Sequence, residues 1–330
     1  MTDTFPIGLV VGSTVAPEVV MPAARAAEAA GFDALWTTED YFLTGGVATS
    51  ALALAATSRI TVGVGLLSVY ARHPALTAME TATLAGAFPG RFVLGLGSGV
   101  FPWLDQMGIG HRAPLKSVRE SVGTVRSLLA GEKLTGGDVF PCTDVALAYP
   151  PVTPPPIYAG AIGPKMLAQS AAVAEGTLLS VLSSPAYIRY ARELTDTAAA
   201  EAGHQGPRRE LVALAIFSLD EDVDAARAAA RPVVATYLAA GGANAITEAE
   251  GISEELTGYL DKGGQAELEA SMPDEWIDRM SVCGDASMCA EAIVALRDAG
   301  ADSVALLPVS TDGLVSLIET VGSTLLPIVR

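Results

Sequence analysis

Short apolar, β-branched runs alternate along this chain with longer alanine-rich stretches, and that rhythm limits the fold more than any single residue does. The runs Ile7–Val11, Ala34–Thr37, Ile60–Leu67 and Arg91–Gly97 are followed by helical patterns over 16–30, 46–57, 74–87 and 113–130. The rhythm resumes with Ile157–Gly160 and 164–175, Gly176–Leu182 and 185–203, then Leu211–Leu219 and 221–240. It closes with a helix over 286–299, the run Ser303–Pro308 and a last helix at 314–328. Repeated strand–helix units build a parallel sheet, because each helix returns the chain to the same edge. Eight such strands fit a (β/α)8 TIM barrel, an α/β fold whose functional residues gather at the C-terminal strand ends.

The segment 131–156, with Gly136-Gly137 and the proline run ending at Pro156, reads as an insertion beside the barrel. The more charged and less periodic segment 241–280 reads as a second, within a single domain over 1–330. A doubly wound open sheet is the alternative, because Gly95-Leu-Gly-Ser-Gly99 follows a strand. That segment lacks the GxGxxG spacing, and no acidic residue closes a second strand about 20 positions on.

Half of the chain is hydrophobic, which supports a sizeable core. Twenty Lys and Arg against 37 Asp and Glu leave a net charge of −17, which argues against nucleic acid or an anionic membrane as a partner. An anionic ligand therefore needs a local pocket. Residues 1–6 lead directly into the first strand, and no apolar run reaches roughly 18 residues without turn signals, so the chain reads as soluble and cytoplasmic. Cys142, Cys283 and Cys289 have no CxxC spacing and read as plain buried or half-buried thiols. His73, His111 and His204 do not sit at metal-ligand spacing, so no metal site is expected.

Residues 155–167, PPIYAGAIGPKML, run from an apolar strand through two glycines into a helix. Gly160 and Gly163 let backbone N–H groups approach a ligand, Pro164 suits a first helical turn, and the helix N-terminus behind it attracts an anion. A phosphate would sit well there. Lys165 either pairs with such a phosphate or is a solvated lysine of the first turn.

Tyr158–Leu167 resembles the phosphate-side loop of the bacterial luciferase-like flavin and deazaflavin oxidoreductases, especially the methylenetetrahydromethanopterin reductase branch. Arg72-His73-Pro74 after the run 60–71 resembles that family's third strand, and Gly90–Gly99 its fourth. The similarity covers most of 5–182 in order, with a weaker echo in 278–307.

The resemblance implies that a cis peptide at Gly65-Leu66 backs the ring of the cofactor. It also places Gly160, Ala161, Gly163, Lys165 and Met166, with Glu39 and Gly97, at the cofactor. Asp40, Tyr41 and His73 are then the candidate proton-transfer groups, and Phe101 and Trp103 line a hydrophobic substrate pocket. The sequence departs from the family at Glu39-Asp40, where many relatives have Asp-His, and at Val100, where the family's sugar-phosphate dehydrogenases have a proton-donating glutamate. Val100 cannot donate a proton, which favours reduction over oxidation of a hydroxyl.

The implied activity is reduction of an activated C=C or C=N bond in a small molecule by reduced coenzyme F420. The substrate would be a secondary metabolite or dehydroamino acid. The alternatives are an FMN-dependent monooxygenase and a non-enzymatic paralogue that only binds flavin. Pairing into a homodimer is also implied.

Overall fold

The computed structural model describes residues 5–330; residues 1–4, part of the stretch expected to lead into the first strand, lie outside the described residues. The first half alternates β1 (Ile7–Val11), α1 (Pro17–Ala30), β2 (Ala34–Thr37), α2 (Gly46–Ala56), β3 (Thr61–Ser68), α3 (Pro74–Ala87) and β4 (Phe92–Gly97). Two helices follow, α4 (Phe101–Gln106) and α5 (Pro114–Leu129), then the strands β5 (Leu134–Gly136) and β6 (Cys142–Val145). The alternation resumes with β7 (Ile157–Gly160), α6 (Pro164–Val173), β8 (Gly176–Leu178), α7 (Pro185–Glu201), β9 (Glu210–Leu219) and α8 (Val223–Gly241). Three helices, α9 (Ala245–Ala249), α10 (Ser253–Ser271) and α11 (Asp274–Met280), precede β10 (Ser281–Gly284) and α12 (Ala286–Asp298). The chain ends with β11 (Ser303–Pro308), α13 (Leu314–Thr324) and α14 (Leu326–Val329).

Strands pair in the order β11-β1-β2-β3-β4-β7-β8-β9, and β9 returns to β11, closing a parallel barrel of eight strands. These are the eight strands expected from the sequence. A ninth, β10, was not anticipated: it pairs in parallel with the far half of β9, Ser281 opposite Ile216 through Gly284 opposite Leu219. Within 131–156 the chain forms an antiparallel pair, β5 with β6. Within 241–280 it is helical, with α10 broken by non-helical backbone at Gly263 and Gly264.

Prolines at the first turn and N-cap side chains start many of the helices, as local chemistry dictates. Ser184 accepts from the Tyr187 N–H ahead of α7, Asp222 from those of Asp224 and Ala225 ahead of α8, and Asp285 from that of Met288 ahead of α12. α1 stops at Gly31, whose φ of 93° is left-handed backbone that glycine adopts without strain.

Strands β2 and β7 are not neighbours, yet the rings of Trp36 and Tyr158 lie 6.1 Å apart, so they meet across the barrel interior. Trp36 fills space that a side chain on β3 would need: a Cβ at Gly63 would lie 2.5 Å from its ring. β3 itself is irregular, its register with β4 shifting between Val64 and Leu67. That bulge pushes the Val64 carbonyl at β4, where a Cβ on Gly95 would stand 2.2 Å from the oxygen. The neighbour is backbone and cannot swing aside. Gly95→Ala is therefore expected to destabilise the protein by about 3 kcal/mol in urea unfolding, at the upper end of overpacking costs. A loss below about 1 kcal/mol would mean that the bulge relaxes freely.

Candidate active site

The C-terminal ends of the strands open into a cavity of about 640 Å³. β1 contributes Ser13 just past its end, β2 runs into Thr38, Glu39, Asp40 and Tyr41, and β3 contributes Gly65, Leu66 and Ser68. Beyond β4, Val100 and Trp103 form part of the wall, and the β7–α6 turn adds Gly160 through Gly163 with Met166. Leu178 and Pro308 complete much of the floor, while Val233 and Tyr237 reach in from α8.

Ten of the expected site residues thus share one cavity: Glu39, Asp40, Tyr41, Gly65, Leu66, Trp103, Gly160, Ala161, Gly163 and Met166. Four do not line it. His73 caps α3, its Nδ1 accepting the Ala75 N–H at 3.2 Å, and its ring meets Phe140 edge-on. One of its ring nitrogens, Nδ1, is thus engaged with backbone, and the ring lies outside the cavity lining. Phe101 stacks flat on His111 at 4.2 Å instead of facing the cavity. The Lys165 side chain is exposed and outside the lining, and it forms no salt bridge among the described residues. Gly97 acts from behind, because a Cβ there would lie 2.6 Å from the Leu66 side chain.

Gly160 has a second role. It lines the cavity, and its missing Cβ gives room to Leu66, whose Cδ2 would be 2.2 Å from it. Leu66 is thus seated between two glycines on different strands, on the bulge of β3. The Gly65-Leu66 peptide is cis, as the resemblance implied, and Tyr41-Phe42 is a second cis bond. Gly163, by contrast, faces open space: nothing lies within 4 Å of where its Cβ would be. It is the N-cap of α6, and no side chain caps that helix. Pro164 has no N–H and Met166 and Leu167 donate to the Gly163 carbonyl, so the Gly163 and Lys165 N–H groups are left without partners among the described residues, at the positive end of the helix beside the cavity.

Glu39 is almost wholly buried, its side chain 3% exposed, and it forms a bidentate pair with Arg72, with Nη2 at 2.8 Å from Oε2. The same Oε2 accepts the Gly46 N–H at 3.0 Å, so the carboxylate closes the start of α2, where Gly45 has no side chain to do so. Asp40 is held differently. Its Oδ2 accepts from the hydroxyls of Ser13 and, at 3.1 Å, Thr38. Ser13 is itself fixed, its N–H donating to Thr38 Oγ1 at 2.8 Å and its carbonyl accepting from Thr44 at 3.0 Å.

Burial, then the neighbouring Glu39 carboxylate, pushes the Tyr41 phenol up to about 12. Such a phenol donates a hydrogen bond but is a poor proton source at neutral pH. Ser13, Ser68, Ser180 and Tyr237 were not singled out from sequence. The first two could have been found as hydroxyls beside C-terminal strand ends; Tyr237 could not, because its direction depends on how α8 packs.

The three thiols are free: Cys142 is half-buried and Cys283 and Cys289 are buried. Among the described residues no cluster of His, Cys, Asp or Glu has metal-holding geometry, and no helix is long and apolar enough to cross a membrane.

Removing Arg72 leaves a buried carboxylate without its cation. Arg72→Leu is expected to cost about 3 kcal/mol in denaturant unfolding, with part recovered in the double variant Glu39→Gln, Arg72→Leu. Equal losses in the two would show that Arg72 acts by packing alone.

Tyr41 gives a pH signature. The folded phenol keeps its proton to about 12 while the unfolded one loses it at 10.0, so its contribution to stability is intact below pH 10 and disappears as pH rises towards 12. The ultraviolet difference titration of wild type minus Tyr41→Phe should show no phenolate until beyond pH 10. Ionisation at the ordinary value would contradict the burial described.

The family model of the luciferase-like monooxygenases matches residues 7–303. The chain is 34% identical over 313 residues to the 5,10-methylenetetrahydromethanopterin reductase of Archaeoglobus fulgidus, covering 92% of this chain and 93% of that one. It is 33% identical to the reductase of the same name from Methanolobus tindarius, over 85% of this chain and 87% of the other. In three dimensions it superposes on the coenzyme F420-dependent tetrahydromethanopterin reductase of Methanopyrus kandleri with a TM-score of 0.85, at 24% identity, over 99% of this chain and 100% of that one. The barrel, the cavity at its C-terminal end and these matches agree: the chain belongs to the luciferase-like monooxygenase family.

Proposed function

We propose that this chain is an F420-dependent reductase that transfers hydride from the reduced deazaflavin to an activated C=C or C=N bond of a small molecule, such as a secondary metabolite or dehydroamino acid. One juxtaposition carries the reading. The bulge of β3 and the uncapped start of α6 meet, because Leu66 occupies the space left at Gly160. An apolar seat for a flat ring thereby adjoins a site for a phosphate. Relatives named as F420-dependent, among them a putative oxidoreductase of Mycobacterium tuberculosis that is 31% identical over 79% of this chain, support the cofactor.

The residues present fit that group. Gly163 leaves its cradle open, and the N–H groups of Gly163 and Lys165 with the positive end of α6 would hold the phosphate with no side-chain competitor. Leu66 would buttress the ring and Met166 would pack beside it. The bound deazaflavin supplies the hydride, and the protein supplies position and a dry, shaped wall. Trp103 and Tyr41, with rings 6.1 Å apart, form one side of the acceptor's space. With His73 outside the lining and Tyr41 holding its proton, no lining group among the described residues is set up as a strong acid, which suits an acceptor that demands little proton transfer.

Titrations with F420 and FMN, oxidised and reduced, followed by fluorescence, test the cofactor. F420 is expected to bind and FMN to bind more weakly; FMN preference would move the chain to flavin chemistry. Gly163→Asp separates binding from folding. Aspartate is a favoured N-cap, so stability should hold or rise, while its charge at the phosphate position should weaken F420 by about tenfold or more. Unchanged F420 affinity in that variant would remove α6 from the site.

A further inference from the structure

A second cavity, of about 420 Å³, lies where α7, α9, α11 and α12 meet at the start of β10, and it shares no lining residue with the first. Most of its wall is apolar: Pro185 and Ala186 of α7, Ala249 of α9, and Ala292, Ala295 and Leu296 of α12. One side is polar. Arg189, Glu250, Asp278 and Arg279 stand there with Ser183 and Ser281.

The chain satisfies only part of that polar side. Asp278 is taken by Arg227, whose Nε and Nη2 lie 2.8 and 3.0 Å from its two oxygens. The Ser183 and Ser281 hydroxyls each donate to a backbone carbonyl at 2.6 Å. Glu250, its side chain 3% exposed, meets Arg279 through Nη1 at 3.1 Å. The opposite edge of that guanidinium is left over: Arg279 Nε is buried and has no hydrogen-bond partner among the described residues, and Glu275 comes no nearer to it than 3.7 Å. Arg189, exposed on α7, forms no salt bridge among the described residues. Two cations thus face one anion, Glu250, in a chain whose net charge is −17. A buried donor without a partner is costly, and a ligand that supplies an acceptor removes the cost.

We propose that this cavity is a second ligand site, and that its ligand is a small carboxylic acid with an apolar body. The Nε edge of a guanidinium presents two parallel N–H donors, the planar fork that a carboxylate matches. Arg189 adds a second cation beside it, and the alanine, proline and leucine wall buries the rest of the molecule. A neutral ligand would leave Arg189 unbalanced, and a cationic one would be repelled by it. The site does not depend on the cofactor reading, because none of its residues lines the first cavity.

Calorimetry of the cofactor-free protein with benzoate, and with benzamide as its uncharged match, tests the proposal. Benzoate should bind wild type about tenfold or more tightly than benzamide, the scale of a charge-assisted hydrogen bond. Arg189→Gln changes an exposed side chain and should weaken benzoate by about fivefold. Glu250→Gln frees Arg279 from its own carboxylate and should tighten benzoate by about threefold or more, a gain that a damaged fold does not produce. Gly163→Asp puts a negative charge at the start of α6, so an affinity unchanged within about twofold would keep the acid away from that helix. Equal binding of benzoate and benzamide, or binding of neither, would overturn the proposal. So would weaker benzoate binding in Glu250→Gln, or a loss in Gly163→Asp that assigns the acid to α6.

Discussion

Leu66 occupies space that two missing side chains would otherwise fill, and the shape of the cavity follows from that seating. The bulge of β3 projects Leu66 inward, and it fits because Gly97 on β4 and Gly160 on β7 carry no Cβ; the Val64 carbonyl fits because Gly95 carries none either. Three strands thus share one close-packed junction at the C-terminal mouth. Close packing transmits small volume changes, so a methyl group at any of these glycines displaces the floor of the cavity as well as the sheet.

Charge is arranged as deliberately as volume. The β2 end carries two adjacent carboxylates with opposite fates: Glu39 is buried against Arg72 and the α2 N-terminus, while Asp40 keeps one oxygen open to the cavity. Among the described residues no Lys, Arg or His lines the cavity, and its positive features are backbone, the uncapped starts of α6 and α4. An anionic group on a ligand would be satisfied at the α6 end. That polarity is what permits one cavity, in a chain of net charge −17, to hold an anionic cofactor.

Much of this was legible in the sequence because it depends on local signals. Eight barrel strands were readable as β-branched runs between helical patterns, and the start of α6 as Gly163-Pro164. β10 was missed because its four residues, Ser281–Gly284, lie between two helices without a turn signal that separates them. α4 does not stand out in the sequence, because Phe101–Gln106 shows no helical period over its six residues. Gly160 shows the harder limit. Sequence marks a place where a side chain is unwelcome, and only the fold tells whether ligand or Leu66 claims the room. His73 shows a local signal of another kind: it stands one residue before a helix-starting proline, and its Nδ1 caps that helix.

On the reading proposed, Leu66 and the α6 N-terminus together hold the ring and the phosphate of the deazaflavin. A crystal structure of the protein with oxidised F420 tests it most directly. Phosphate density against the backbone of Gly163–Lys165, with the ring over Leu66, is the result expected. Density for the cofactor elsewhere, or with its phosphate away from α6, would contradict the account.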